Sequence, residues 1–584
     1  MSKLPDHLGF LFREDEPGGL SYSVGAHFGG KFYPNPPKNQ SAELRADLVE
    51  HRSVVTPSYA ELWTEPMPDI PSVVRLLKKD NWLSILSRVA LAMTSPGISY
   101  RDAERAVLSM LTTERKAALV KWHKDAGPRK RFIDPFAVLA SIQIAAIYAE
   151  PGQIKGKLTD EQGEAIPKLL YMVSASINEE SNSRMDTDLP GVVAALTERS
   201  SLGHMIDIAT RAVALWTWPI PNQRGRVTSF RAKADAIFKK KYGVSILEWQ
   251  AVLAHAIESL VVNINMDKMH DGIPSMSTRY DNSSRARNIL NSVSGTWEEF
   301  KSRCEAQHAK ADLWKSPTLV PLATTPLISI SPTESIVLSP VNLALAMLEF
   351  PLRAAKEEGL DLGPFGDIVE DYCHHLLSLQ YGRSYTPLAP LKDGERADGI
   401  IWFSDGFVVV ESKSNRTNTK YVNRNNARFL QELGNRDIPK AVGQINATID
   451  DVLSGAIEKP WWIGNPSRAG SLILVADELP LTPLAAPALN QVLPPTKREP
   501  SGVLRLQPQI MEIDELERLD SWDGDTLIHV LGKKMLHSGT ALEAYTSYQS
   551  FMKCKRKGTP TAYVKLKKQI AELMEAKYKS MSSH

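Results

Sequence analysis

A dipeptide with hairpin-turn chemistry, Asp405-Gly406, stands between two apolar β-prone runs, and it constrains the fold of this chain more than any other feature. The runs are Asp398-Gly-Ile-Ile-Trp-Phe403 and Phe407-Val-Val-Val-Glu-Ser-Lys413. If Asp405 and Gly406 form a two-residue loop, Asp398 lies across from Lys413 and Glu411 across from Ile400. Directly opposed residues share a sheet face, as do residues two apart along one strand. Asp398, Glu411 and Lys413 are therefore expected on one face of the sheet. A three-residue loop would break that parity.

The run Val408-Val-Val410 leads straight into Glu411, as in a central strand covered on both faces. Charged groups at the end of such a strand are costly unless they are paired or functional. The plain structural alternative is an ordinary hairpin carrying a cross-strand Asp398–Lys413 ion pair. The chemical alternative is more specific. Two converging carboxylates offer the hard oxygen ligands that magnesium prefers. A lysine beside them can orient or deprotonate a water and stabilise a developing oxyanion.

Around this segment the chain divides by texture. A length of 584 residues exceeds one ordinary core, and two to four domains are expected. Residues 1–65 read as an irregular, Gly/Pro-rich segment with short strands near Leu20 to Val24. Residues 66–316 read as one or two helical domains, with apolar residues recurring near a 3.6 period and a Ser/Asn-rich break near Asn178 to Ser183. From 317 to 530 the pattern changes. Leu327-Ile-Ser-Ile330 and Ser335-Ile-Val-Leu338 flank a turn, and helices are expected at Val341 to Leu352, Phe365 to Gln380 and Ile438 to Leu453. Leu472 to Ala476 and Gln509 to Ile513 add strands, and Asp514 is expected to cap a helix running to Leu519. That order points to a mixed sheet flanked by helices, an α+β or α/β core behind a largely helical N-terminal region. Residues 531–584 read as a basic helical tail.

The ordered set of motifs resembles the PD-(D/E)xK, or restriction-endonuclease-like, nuclease superfamily. Its core pairs a strand carrying Asp with a strand carrying (D/E)xK, and Glu411-Ser412-Lys413 has that form, with Ala397 in place of the Pro before Asp398. Many members carry a metal-assisting glutamate on a preceding helix, a position that Glu370 matches in Gly366-Asp-Ile-Val-Glu370. Lys440-Ala-Val-Gly-Gln444 is similar to a following helix that carries Gln in several branches. Branches with QxxxY have Tyr where this chain has Thr448. The resemblance covers roughly Phe365 to Leu519. It implies Mg2+ or Mn2+ held by Asp398 and Glu411, with the Ser412 backbone carbonyl as a third ligand and Glu370 assisting the metal. It also implies Lys413 acting on the attacking water, Gln444 supporting the site, and DNA rather than RNA as substrate. Many large members with an extra helical region serve restriction or antiphage defence. The alternative is a non-catalytic nucleic-acid-binding or assembly protein that retains the fold.

With a net charge of +2, any basic footprint must be local. Arg416, Lys420, Arg424, Arg428 and Arg436, with Lys440 and several asparagines, form one candidate phosphate-binding segment beside the site. The tail lysines form another, and Arg224, Arg226, Arg231 and Lys239 to Lys241 a third. A solvated connection is the plain alternative for the first and a soluble helix end for the second, while the third is left as a DNA or partner surface. Gly25 to Lys31 has P-loop spacing, but Phe32 replaces the metal-binding Ser/Thr and Pro34, Pro36 and Pro37 cannot start the helix, so a surface turn is expected. His374-His375 point about 100° apart on a helix and read as partly exposed residues. Cys304, Cys373 and Cys554 fit neither a disulfide framework nor a zinc site, which with no apolar N-terminal or membrane-spanning run suggests a cytoplasmic protein. The helical region is left as the surface for a partner protein or a second copy.

Overall fold

The computed structural model describes residues 27–28 and 31–32, most of 62–518, Leu527, and 562–582. Its longer interruptions are 185–204, 263–276, 414–437 and 476–492. The strands expected near Leu20, the basic residues Arg416, Lys420, Arg424, Arg428 and Arg436, and Cys554 lie outside the described residues. Within the P-loop-like spacing, His27–Phe28 pairs antiparallel with Lys31–Phe32.

The chain is a mixed α+β protein in which helices precede the main sheet. The helical region follows from its periodic apolar residues, with one correction. The break expected at Asn178 to Ser183 is absent, and a helix runs from Asp160 to Arg184. Ser and Asn are weak helix formers rather than breakers, and neither Gly nor Pro interrupts that segment. Helices α1 (Met205–Trp216), α2 (Gly225–Tyr242) and α3 (Ile246–Val262) pack with α4 (Pro340–Glu357). Gln250 stitches them, donating from one buried amide to Ala212 O (3.0 Å) and Met347 O (3.2 Å). The hairpin Leu327–Ser331/Glu334–Val337 forms as read, and it belongs to a small sheet with Ser277–Arg279 and Ser294–Gly295. It therefore joins strands from the preceding, mainly helical part.

The main sheet follows α5 (Gly363–Tyr381). Its strands are β1 (Tyr385–Pro387), β2 (Gly399–Phe403), β3 (Gly406–Lys413), β4 (Arg468–Val475), β5 (Lys497–Arg498), β6 (Leu504–Arg505) and β7 (Gln509–Glu512). β3 is central, antiparallel to β2 and parallel to β4, with α6 (Ile438–Ser454) lying in the connection between β3 and β4. β4 pairs on its far side with β6 and then β7, both parallel.

Burial on both faces explains the unbroken apolar runs. Ile401, Phe403, Val408, Val410, Leu472 and Leu474 face a large core continuous with the helical region. Ile400, Trp402, Phe407, Val409, Ile473 and Val475 face a smaller core closed by Ala441, Ile445 and Ile449 of α6.

Two further expectations change. Helix α7 is Ile513–Arg518, so Asp514 lies inside its first turn rather than capping it. Its Glu517, 2% exposed, takes both Arg211 nitrogens at 2.9 Å and the Tyr372 hydroxyl at 2.8 Å, tying α1, α5 and α7 together. The tail helix α8 (Ala562–Ser582) is a core element: Tyr563, Leu566, Ile570, Met574 and Met581 are buried, and Lys567 reaches Asp207 at 3.0 Å. No helix among the described residues is long and apolar enough to cross a membrane.

Candidate active site

The hairpin forms, with a different loop from the one read in the sequence. Phe403 pairs with Gly406, so Ser404 and Asp405 make the turn. A type I′ turn centred on Asp405-Gly406 would need positive φ at Gly406, which that residue does not adopt. The turn is instead held by the start of β4: the Asp405 carbonyl accepts from the Ser467 N–H (2.8 Å) and hydroxyl (3.0 Å), and its carboxylate pairs with Arg468. The register therefore shifts by two. Gly399 pairs with Val410, and Asp398 lies just beyond the paired residues, its N–H reaching the Val410 carbonyl at 3.0 Å. A shift of two preserves parity along the paired residues, Gly399 to Phe403.

The antiparallel register brings the start of β2 to the end of β3, where the valine run gives way to Glu411-Ser-Lys413. Asp398 Oδ2 accepts the Ser412 N–H at 2.6 Å. Glu411 is 2% exposed; its Oε1 pairs with the Lys413 ammonium, and its buried Oε2 has no side-chain partner. Lys413 also donates to Gln444 Oε1 on α6 at 2.8 Å.

Burial, and then the like charges of Glu411 and Glu370, push the Asp398 carboxyl up to about 7. Burial chiefly, with Glu370 adding to it, holds Glu411 above the usual range despite Lys413. One lysine thus leaves a carboxylate pair under-neutralised at a strand end.

Glu370 stands on α5, which packs on the opposite face of the sheet from α6. Its charge is felt by both acids, but its oxygens are engaged elsewhere: Oε2 lies 3.1 Å from Arg224 and Oε1 3.5 Å from His374. Burial opposes ionisation of Glu370, yet His374 and Arg224 outweigh it and hold it below the ordinary range. Among the described residues no three His, Cys, Asp or Glu side chains form a ready-made metal-ligand set. The expected cluster is thus Asp398 and Glu411 with Lys413 and Gln444, and Glu370 beside it in a separate ion-pair network.

That network accounts for the third basic stretch. Arg224 also meets Asp371 at 2.8 Å, and Arg226 pairs with Asp367. Arg231 donates to the carbonyls of Ala214, Leu215 and Trp218 at the end of α1, and Lys239, Lys240 and Lys241 pair with Asp235, Glu358 and Glu357. These cations serve internal partners. Of the basic segment beside the site, Lys440 is described; it is exposed on α6, one turn before Gln444.

Four groups have contacts at the site that the sequence did not signal. His374, half-buried, contacts the Tyr385 hydroxyl with its other ring nitrogen. Tyr385 packs so closely on Gly399 that a Cβ there would lie 2.7 Å from its Cε2, which is why β2 begins with glycine. Arg224 stood out only as part of a basic stretch, with nothing to link it to Glu370. Thr448 stood out only as the residue where tyrosine occurs elsewhere, four positions after Gln444.

No protein-family model matches this chain, and neither the curated proteins nor the solved structures hold a significant match to it.

Proposed function

We propose that this chain is a metal-dependent nuclease of the PD-(D/E)xK kind that hydrolyses phosphodiester bonds in DNA. The observation that carries the reading is Glu411. A carboxylate 2% exposed, with one oxygen in a side-chain ion pair and a second acid at the same strand end, is costly unless a cation completes it. Asp398 and Glu411 suit Mg2+ or Mn2+, and rotation of Glu370 out of its ion pairs would add a third carboxylate. Bound there, a divalent ion supplies Lewis acidity and lowers the pKa of a coordinated water. Lys413, held between Glu411 and Gln444, is placed to orient the attacking water and to stabilise charge on the scissile phosphate. Lys440, one turn before Gln444, offers a cation to a neighbouring phosphate.

The test is cleavage of plasmid DNA in Mg2+ or Mn2+ by wild type, Asp398→Ala and Lys413→Ala. Cleavage by wild type alone is expected; equal nicking by all three refutes the assignment. Restriction or antiphage defence in the cytoplasm is the proposed setting, by analogy with large members of the family the motifs resemble.

The engagement of both Glu370 oxygens favours a second reading, a non-catalytic nucleic-acid-binding protein on the same scaffold. It predicts DNA binding with no divalent-ion dependence and no cleavage by any of the three proteins.

A further inference from the structure

Residues 396 and 397, just ahead of Asp398, are held by one face of α6. Gln444, Thr448 and Asp451 are spaced i, i+4 and i+7, which aligns them along the helix. Gln444 Nε2 donates to the Arg396 carbonyl at 3.2 Å, and the Arg396 guanidinium meets Asp451 at 2.8 Å. Between them, Thr448 Oγ1 accepts the Ala397 N–H at 2.8 Å and donates to the Gln444 carbonyl at 2.9 Å. Thr448 is 0% exposed and Ala397 2%.

The hydroxyl has one proton. Committed to the Gln444 carbonyl, it leaves a lone pair facing Ala397, so the direction of the bond is set by the helix. The next residue is fixed at both ends of its backbone: Asp398 N–H donates to Val410 O (3.0 Å), and its carbonyl accepts from Leu388 N–H (2.8 Å). The carboxylate that meets Ser412 N–H thus hangs from a backbone whose placement depends on Thr448.

We propose that Thr448 is a positioning residue for Asp398, transmitting the placement of α6 to the strand end through the Ala397 N–H. The proposal rests on the nuclease reading for its kinetic consequence and on geometry alone for its structural one. Thr448→Val keeps the shape and deletes both bonds, Thr448→Ser keeps both, and Thr448→Cys keeps the volume with only weak hydrogen-bonding capacity.

In Mg2+-dependent plasmid cleavage, kcat of Thr448→Val is expected to fall by about 10–100-fold, the usual effect of losing a group that orients a ligand, with KM for DNA little changed. The serine variant is expected to restore wild-type turnover. In hydrogen–deuterium exchange, peptides covering residues 396–400 should exchange faster in the valine variant, while peptides over β4 stay as in wild type. Wild-type turnover together with wild-type exchange at 396–400 in the valine variant overturns the proposal. If the valine variant does not fold, the cysteine variant is read by the same criteria. If wild type cleaves nothing, the nuclease reading fails, and exchange at 396–400 in valine against serine still decides the role of Thr448.

Discussion

Neutralising Asp398 should stabilise the metal-free protein, an uncommon direction for a substitution at a half-buried polar site. Its carboxyl has an ordinary value of 3.8 and is pushed up to about 7 by burial and by Glu411 and Glu370. The folded state therefore binds a proton that the unfolded chain has already released. Stability falls as pH rises from about 4 to about 7, and above that the whole loss is present. At 1.36 kcal/mol per pKa unit the shift corresponds to at most about 4 kcal/mol, and partial exposure reduces this to about 2–4 kcal/mol. Asp398→Asn has no proton to lose, and its amide oxygen can still accept the Ser412 N–H. The variant's advantage should be near zero below pH 4, about half-developed at pH 5.5 and complete at pH 8. The assay is hydrogen exchange of β2 and β3 in EDTA, corrected for intrinsic rates. With tenfold per 1.4 kcal/mol, amide protection in the variant should be about 30- to 1,000-fold higher at pH 8. A variant less protected than wild type at pH 8, or an advantage independent of pH, refutes the reasoning.

Other outcomes follow from the same geometry. Glu411→Gln should weaken Mn2+ binding, measured by calorimetry, by more than the roughly 10–100-fold typical of groups that only support a ligand. Gly399→Ala should cost about 1–3 kcal/mol in denaturant unfolding, because the new methyl displaces the Tyr385 ring. Arg224→Gln should destabilise the protein more at pH 8 than at pH 5 in thermal melts: burial first, then their acidic neighbours, already push Asp367 and Asp371 up, and protonation relieves the loss of their shared cation. Deleting residues 562–582 exposes the core sites of five large side chains, about 1.5–3 kcal/mol each, and should abolish cooperative unfolding; a deletion variant that melts like wild type would place the helix outside the core.

Much of the sheet was legible because its determinants are local. The valine run, the glycine that opens β2 and the apolar stripe of α6 each carry their own periodicity. The meeting of Asp398 and Glu411 at one strand end was legible for a weaker reason. A register error of two still leaves the start of β2 beside the end of β3, so the reading survived a misplaced turn whose true position depends on Ser467 and Arg468, some sixty residues away. The engagement of Glu370 was not legible. It depends on Arg224, about 150 residues earlier, and neither charge pattern nor spacing links the two. The tail misled in the opposite way, since its lysines dominate the composition while its buried Tyr, Leu, Ile and Met set its position.

The two faces of the main sheet carry unequal obligations. One is committed to a core that runs from Leu62 to Met581, so a change of shape there must be accommodated across most of the molecule. The other is closed largely by α6 and shares its core with few other segments. Substitutions that retune the strand end are therefore cheapest in α6. Drift in how this site treats its substrate can accumulate there while the rest of the architecture stays as it is.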